Sequence, residues 1–156
     1  MSTTETINEN KAVDFASNGG GILTFTIEDQ TYGIEIGYVT DIIEIQPITV
    51  VPKVPEYIKG VINLRGKVIP VMNIRSRFGK PVIPYDERTC IIVVEWEDDS
   101  VGMIIDRVCE VLNINPNEIT PPPDYRSVNS NRFIKHIANR ADGVKLVLDC
   151  EKLIND

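Results

Sequence analysis

No stretch of this chain approaches the roughly 18 consecutive apolar residues needed to cross a bilayer as a helix. The N-terminus has no basic start leading into an apolar segment, so it reads as no secretory signal. Basic residues are in deficit: 16 Lys and Arg stand against 23 Asp and Glu, a net charge of −7. That balance argues against neutralising a nucleic-acid backbone and against an anionic membrane surface. Aromatic residues make up 6%, few of them interleaved with Lys or Arg, which leaves little for stacking single-stranded bases. The three cysteines, Cys90, Cys109 and Cys150, are odd in number and far apart, with no CxxC pair. They predict reduced, packed thiols and neither a disulfide framework nor a metal site. There is one histidine, His136, and no GxSxG elbow, HExxH pair or phosphate-binding glycine loop. No nucleophile and base stand at a suggestive spacing, so the reading is of no enzyme, no cofactor and no metal.

A chain of 156 residues with 42% hydrophobic and 25% charged residues fits one domain, or two small units sharing a core. Residues 1–20 are polar and run into Asn18-Gly19-Gly20-Gly21, which reads as a flexible N-terminal tail before a folded part at 21–156. From Ile22 the texture changes: Leu23, Phe25 and Ile27 alternate with Thr24, Thr26 and Glu28, the period-two pattern of a half-buried strand. A polar turn at Glu28-Asp29 and a returning strand through Gly33 predict a hairpin. The same hairpin recurs at Ile92, Val94, Trp96, Glu97-Asp98 and Gly102.

The recurrence holds at a fixed offset of 69, that between Gly33 and Gly102, from Phe25/Val94 through Val39/Val108 to Pro47/Pro116. It resumes at 76, the offset between Tyr57 and Phe133, through Asn63/Asn139 to Asn73/Asp149. The extra residues of the second copy fall around Pro121-Pro122-Pro123. Alternation alone is common among hairpins, but glycines, acidic turns and prolines recurring in one order point to duplication. The first copy is bounded at about 22–85 and the second at about 88–154. Each reads as hairpin, strand, proline-bearing loop, short helical turn at Glu56–Lys59 or Ser130–Ile137, then a second hairpin. The fold class expected is all-β: two small five-stranded barrels packed together, with short helical segments. A barrel of about 60 residues has too small a core to stand alone, so the interface between copies should carry much of the packing. Exchange of strands between the copies is left open.

Two features carry candidate function. Gly60 to Arg75 reads as strand, Arg65-Gly66 turn, strand, with glycine supplying a positive φ. The second copy has Arg140-Ala141-Asp142-Gly143 there, so the two tips differ in chemistry. Arg65 is either a solvated turn residue or a held guanidinium suited to a carboxylate or a helix C-terminus. The second feature is the aliphatic segment Val39–Ile45 and its copy Val108–Leu112. Core packing explains both segments. If the copies face one another, Val39 and Val108 instead line one apolar groove of a kind that takes an amphipathic helix. His136 in its turn reads as an ordinary solvent-facing histidine.

At these residues the sequence resembles the CheW family of chemotaxis coupling proteins. Asn63-Leu64-Arg65-Gly66 and Val68-Ile69-Pro70-Val71 carry the likeness, continued by Arg75-Ser76-Arg77-Phe78-Gly79. Val39, Asp41-Ile42, Gly102–Asp106, Ile119-Thr120-Pro121 and Glu151-Lys152-Leu153 support it, so that it spans about 20–155. The resemblance implies two SH3-like β-barrel subdomains and a non-catalytic cytoplasmic scaffold recruited to receptor arrays, with no direct membrane contact. It implies two partners, the cytoplasmic hairpin tip of methyl-accepting chemotaxis receptors and the regulatory domain of the histidine kinase CheA. It assigns Val39, Asp41, Arg65 and Val108 to receptor binding and Tyr125 and Thr120 to the kinase contact, with Gly60, Gly66 and Gly102 as motif glycines. The sequence departs from the family pattern at Asp41, where glutamate is usual, at Asn73, where aspartate is common, and at Thr120, where an arginine can serve the kinase.

The rival readings are the similar regulatory domain of the kinase, a coupling domain fused to a receiver, an adaptor of another two-component pathway and a small-ligand barrel. The absence of kinase motifs and of a receiver pattern favours a stand-alone adaptor.

Overall fold

The structure is a computed structural model, and it describes residues 21–122 and 132–155. The chain forms β1 (Gly21–Ile27), β2 (Gln30–Glu35), β3 (Val39–Glu44), β4 (Ile58–Leu64), β5 (Lys67–Asn73) and helix α1 (Ile74–Arg77). It continues through β6 (Cys90–Trp96), β7 (Asp99–Ile105), β8 (Arg107–Asn113), β9 (Ile119–Thr120), β10 (Ile134–Arg140), β11 (Gly143–Leu148) and helix α2 (Cys150–Asn155). The described residues are therefore mostly strand, in the all-β class expected.

The strands make two sheets. One runs β8-β1-β2-β11-β10-β9 and the other β3-β6-β7-β5-β4. Replacing each strand of one by its copy reproduces the other, with β9 matched by a single bridge between Thr49 and Val61. Even the parallel junctions agree: Val147 lies opposite Gly33 as Val71 lies opposite Gly102. The sheets do not divide the chain at residue 85. Each takes a hairpin from one copy (β1-β2 or β6-β7) and its other strands from the opposite copy. A strand pairs with whatever edge completes its hydrogen bonds and covers its apolar face, so repeat limits in sequence need not be sheet limits in space.

Apolar residues collect in three places. Ile62, Ile69, Val71, Ile91, Val93 and Ile104 form one small cluster, all from the five-stranded sheet. Ile22, Ile114, Ala138 and Val147 form another, with Leu112 and Ile119 packed on it. The largest draws on both sheets, including Leu23, Phe25, Tyr32, Met72, Ile92, Val94, Met103, Phe133 and Leu148. Within it Phe25, Tyr32, Phe78 and Phe133 form a ring chain with centroids 6.1, 5.2 and 5.6 Å apart. Each such pair adds about 0.5–1.5 kcal/mol beyond its buried area. The main core is thus the seam between the two halves.

Two glycines make the parallel junctions fit. A Cβ on Gly33 would stand 2.7 Å from Ile22 Cδ1, and one on Gly102 2.8 Å from Ile91 Cγ2. Each copy then ends in a capped helical turn. Asn73 Oδ1 accepts the Ser76 N–H at 3.1 Å, and Asp149 Oδ1 accepts the Lys152 N–H at 3.2 Å. Capping needs an acceptor oxygen and not a charge, which is why Asn73 serves where the second copy has Asp149.

Several local expectations are corrected. The strand after the Arg65-Gly66 turn stops at Asn73, and Ile74–Arg77 is helical. The helical turn near Tyr57 is a single turn, closed by the Ile58 N–H donating to the Pro55 carbonyl at 3.0 Å, and β4 begins at Ile58. Its counterpart is strand from Ile134 onward, so His136 lies half-buried on β10 and not in a solvent-facing helical turn. Cys109 is exposed on β8, whereas Cys150 is buried and Cys90 partly so. Ser130 and Tyr125 lie outside the described residues.

Candidate functional site

Leu64 pairs with Lys67 across a two-residue loop, and both loop residues have positive φ, 52° at Arg65 and 85° at Gly66. That geometry matches strand twist and is ordinarily filled by Asn-Gly or Gly-Gly. Here Asn63 Oδ1 accepts the Gly66 N–H at 2.9 Å and steadies the loop, while Arg65 occupies a left-handed position unusual for a long side chain. Strain of this kind is retained where neighbouring contacts enforce it, and at functional positions.

The Arg65 guanidinium meets Asp41 fork to fork: Nη1 donates to Oδ2 and Nη2 to Oδ1, both at 3.0 Å. The hydrogen bond first, and the carboxylate charge second, push the guanidinium pKa further above its already high value. The Arg65 side chain nevertheless remains 70% exposed, so solvent screens the pair and it contributes little to stability. What it does is fix a cation. Two of the five N–H donors are held and the plane of the group is set, leaving the others to face a partner.

Asp41 belongs to β3 and Arg65 to the β4-β5 tip, and β3 and β4 are the outer strands of the five-stranded sheet. The ion pair therefore joins the two margins of the sheet and closes it around its own small core. In the other half, Arg140 reaches from the β10-β11 tip to the Asn113 carbonyl at 3.1 Å and to Glu118 at 3.4 Å. Arg140 Nε also donates to Asp142 Oδ1 at 3.2 Å, so that closure engages a backbone carbonyl and two carboxylates and leaves the guanidinium mostly covered.

Val39 and Val108 occupy matching places on β3 and β8, the edge strands of the two sheets. Both pack, half-buried, on the large shared core. A β-bulge adds one residue to each edge strand. Val39 faces Val94 while Ile42 faces Ile92, and Val108 faces Phe25 while Val111 faces Leu23. The bulge breaks the period of two, so residues three apart share a face. All four opposing residues belong to the shared core, so Ile42 and Val111 stand on the same side as the two valines. They are exposed by 48% and 56%, and they extend the seam outward. Alternation in the sequence hid them, because nothing local in either segment announces a bulge.

Asp41 lies opposite Val93 of the small core, so it points to the other face of β3 from Val39. The ion pair thus stands on the small-core side of β3, and Val39 and Ile42 on the side of the shared core. Thr120 is exposed on β9, its hydroxyl 3.4 Å from the Ile137 carbonyl, at the place the first copy gives to Thr49. Gly60 sits at a bulge in β4 with φ 147°, and a Cβ there would collide with the Thr49 carbonyl oxygen. Gly66 has open space around it. Among the described residues no group of three His, Cys, Asp or Glu side chains could hold a metal ion, and no helix is long and apolar enough to cross a membrane.

A model of the CheW-like domain matches residues 21–156. The chain is 31% identical over 137 residues to a chemotaxis protein CheW of Klebsiella aerogenes, covering 88% of this chain and 82% of that protein. It is 36% identical over 140 residues to a chemotaxis protein CheW of Thermotoga maritima, covering 86% and 87%. Among solved structures, the scaffolding protein TtCheW of Thermoanaerobacter tengcongensis superposes with a TM-score of 0.82 at 33% identity, over 88% of this chain and 94% of that one.

Proposed function

The chain belongs to the CheW-like family of chemotaxis scaffolds, and on that footing we propose that it couples chemoreceptors to the kinase CheA without catalysing a reaction. It works in the cytoplasm, at receptor arrays. The observation that carries this reading is the exposed Arg65 fork held by Asp41 on β3, the edge strand that also bears Val39 and Ile42, with Val108 and Val111 in the matching places on β8.

An amphipathic helix presents an apolar stripe beside polar residues, and an aliphatic seam with a cation fixed on one of its edge strands complements that pattern. The receptor's cytoplasmic hairpin tip is the partner assigned to this surface. The aliphatic seam supplies the buried area and Arg65 supplies orientation, by donating to a carboxylate or to a helix C-terminus. The kinase regulatory domain is assigned to a separate surface that includes Thr120; Tyr125, its other expected contact, lies outside the described residues.

Titration of the labelled full chain with a receptor cytoplasmic fragment and, separately, with the regulatory domain of CheA tests the reading. Binding to both, at different sets of amides, is the expected result. Arg65→Ala should weaken receptor binding roughly tenfold while leaving the kinase-domain affinity unchanged. Failure to bind either partner overturns the coupling role, and an unchanged receptor affinity in Arg65→Ala overturns the assignment of this residue.

A further inference from the structure

Among the described residues the chain crosses between its sheets twice, by different means. From β2 to β3 it passes through the buried turn Ile36–Tyr38, where the Tyr38 ring packs 5.5 Å from Trp96. From β7 to β8 it crosses at one residue, Asp106. The Asp106 carboxylate takes a two-pronged bond from Arg75, Nε to Oδ1 at 2.9 Å and Nη2 to Oδ2 at 2.6 Å. The same carboxylate accepts the Glu28 N–H at 2.8 Å. Glu28, whose φ is 57°, is the first residue of the β1-β2 turn; its side chain lies 3.5 Å from Arg75 Nη1 and 3.0 Å from Lys80 Nζ.

Three segments therefore meet on one carboxylate: helix α1 at the end of β5, the turn of β1-β2, and the β7-β8 crossover. The Arg75 side chain is only 11% exposed, unlike Arg65, so this pair is little screened by solvent. At the first crossover the repeat offsets put Gly37 in the place of Asp106 and Glu151 in that of Arg75, so the carboxylate–guanidinium fork has no copy there; an ion pair of buried Glu35 with Lys135, 2.9 Å, stands at its start instead. Val108 follows Asp106 by two residues and is the start of one wall of the seam. The opposite wall, from Val39, follows the aromatic crossover.

We propose that Arg75 is a positioning residue for partner docking: through Asp106 it holds the β8 wall of the seam, Val108 and Val111, at its working distance from the β3 wall. This rests on the docking reading given above. The bidentate geometry matters, since two parallel bonds fix the carboxylate's plane as well as its place, which a single ammonium does not do.

Arg75→Met in the full chain should weaken binding of a receptor cytoplasmic fragment roughly tenfold, in the range of coupling seen between groups of one network. Affinity for the CheA regulatory domain should stay within about twofold. Amide shifts should be larger at 107–112 than at 39–44. The charge-exchanged pair Arg75→Asp with Asp106→Arg should recover part of the receptor affinity. Unchanged receptor binding overturns the proposal, and so does an equal loss for both partners, which marks a merely structural role. Should Arg75→Met fail to fold, Arg75→Lys decides: weakened receptor binding with shifts confined to 107–112 supports the proposal, and unchanged binding refutes it. If the unaltered chain binds no receptor fragment, the docking reading has failed instead. Positioning is then judged by the Arg75→Lys shifts alone, support if they appear at 107–112 and refutation if they do not.

Discussion

In the first copy an arginine at the hairpin tip reaches a side-chain carboxylate and stays in water; in the second, Arg140 reaches a backbone carbonyl and Glu118 and is mostly covered. Both contacts close a small barrel, and the strand order around them is the same. The difference lies in what each leaves available. The second closure spends its donors within the fold, whereas the first fixes a guanidinium and presents it outward. The copies also differ at the crossovers, where only the second has an arginine fork on a carboxylate, and at the two bulges, one with Gly60 and the other with His136. Duplication accounts for the register, and function is to be sought where the copies part.

The most severe test of that comparison is at the bulges. Gly60 and His136 occupy equivalent places, yet only Gly60 has a left-handed φ, 147°, with the Thr49 carbonyl where a Cβ would stand. Gly60→Ala should cost about 3 kcal/mol or more, because positive-φ strain adds to a clash with backbone that has nowhere to move. His136→Ala should cost far less. Urea unfolding of the two variants measures both, and equal losses would break the distinction between the bulges.

A finer contrast sets Gly102 against Gly33. The added methyl of Gly102→Ala meets Cγ2 of Ile91, close to the backbone of a β-branched residue, while that of Gly33→Ala meets Cδ1 of Ile22, the free end of its side chain. The far end can rotate away, and the branch point cannot. Gly102→Ala should therefore lose about 1–3 kcal/mol and Gly33→Ala less. The same unfolding measurement ranks them, and the reverse order would show that packing around the two junctions is not equivalent.

Much of this was legible in the sequence, for identifiable reasons. The period of two in Leu23-Phe25-Ile27 and the glycine pair Gly33/Gly102 recur because each barrel needs the same strand and the same close approach at its parallel junction. Arg65 declared itself by standing where the copy has Ala141. What was not legible depends on distant partners. The exchange of hairpins between copies is decided by which sheet edge completes each strand. Ile42 and Val111 come to the seam through bulges, invisible without the opposing strands. Arg75 and Asp106, 31 residues apart in the chain, have no local pattern to join them.

The smallest effect expected also comes from a place where the copies differ. Burial first, and the neighbouring Lys135 second, lower the pKa of His136 below its ordinary 6.5, against a smaller opposing pull from Asp149. The folded protein therefore holds the neutral ring more firmly than the unfolded chain does. Above pH 6.5 both states are neutral and the full stability is present. As pH falls below 6.5 the unfolded chain takes up a proton first, so stability declines until the lowered folded value is passed, and then levels off. The slope over that window can reach at most one proton. His136→Asn cannot take up a proton and should remove that part of the slope, read as the difference between unfolding curves of the two proteins from pH 7.5 to 5. The first copy has a glycine at this position and offers no counterpart. If the difference between the curves does not change with pH, His136 is as well hydrated in the fold as in the unfolded chain, and the second bulge is more open than its burial indicates.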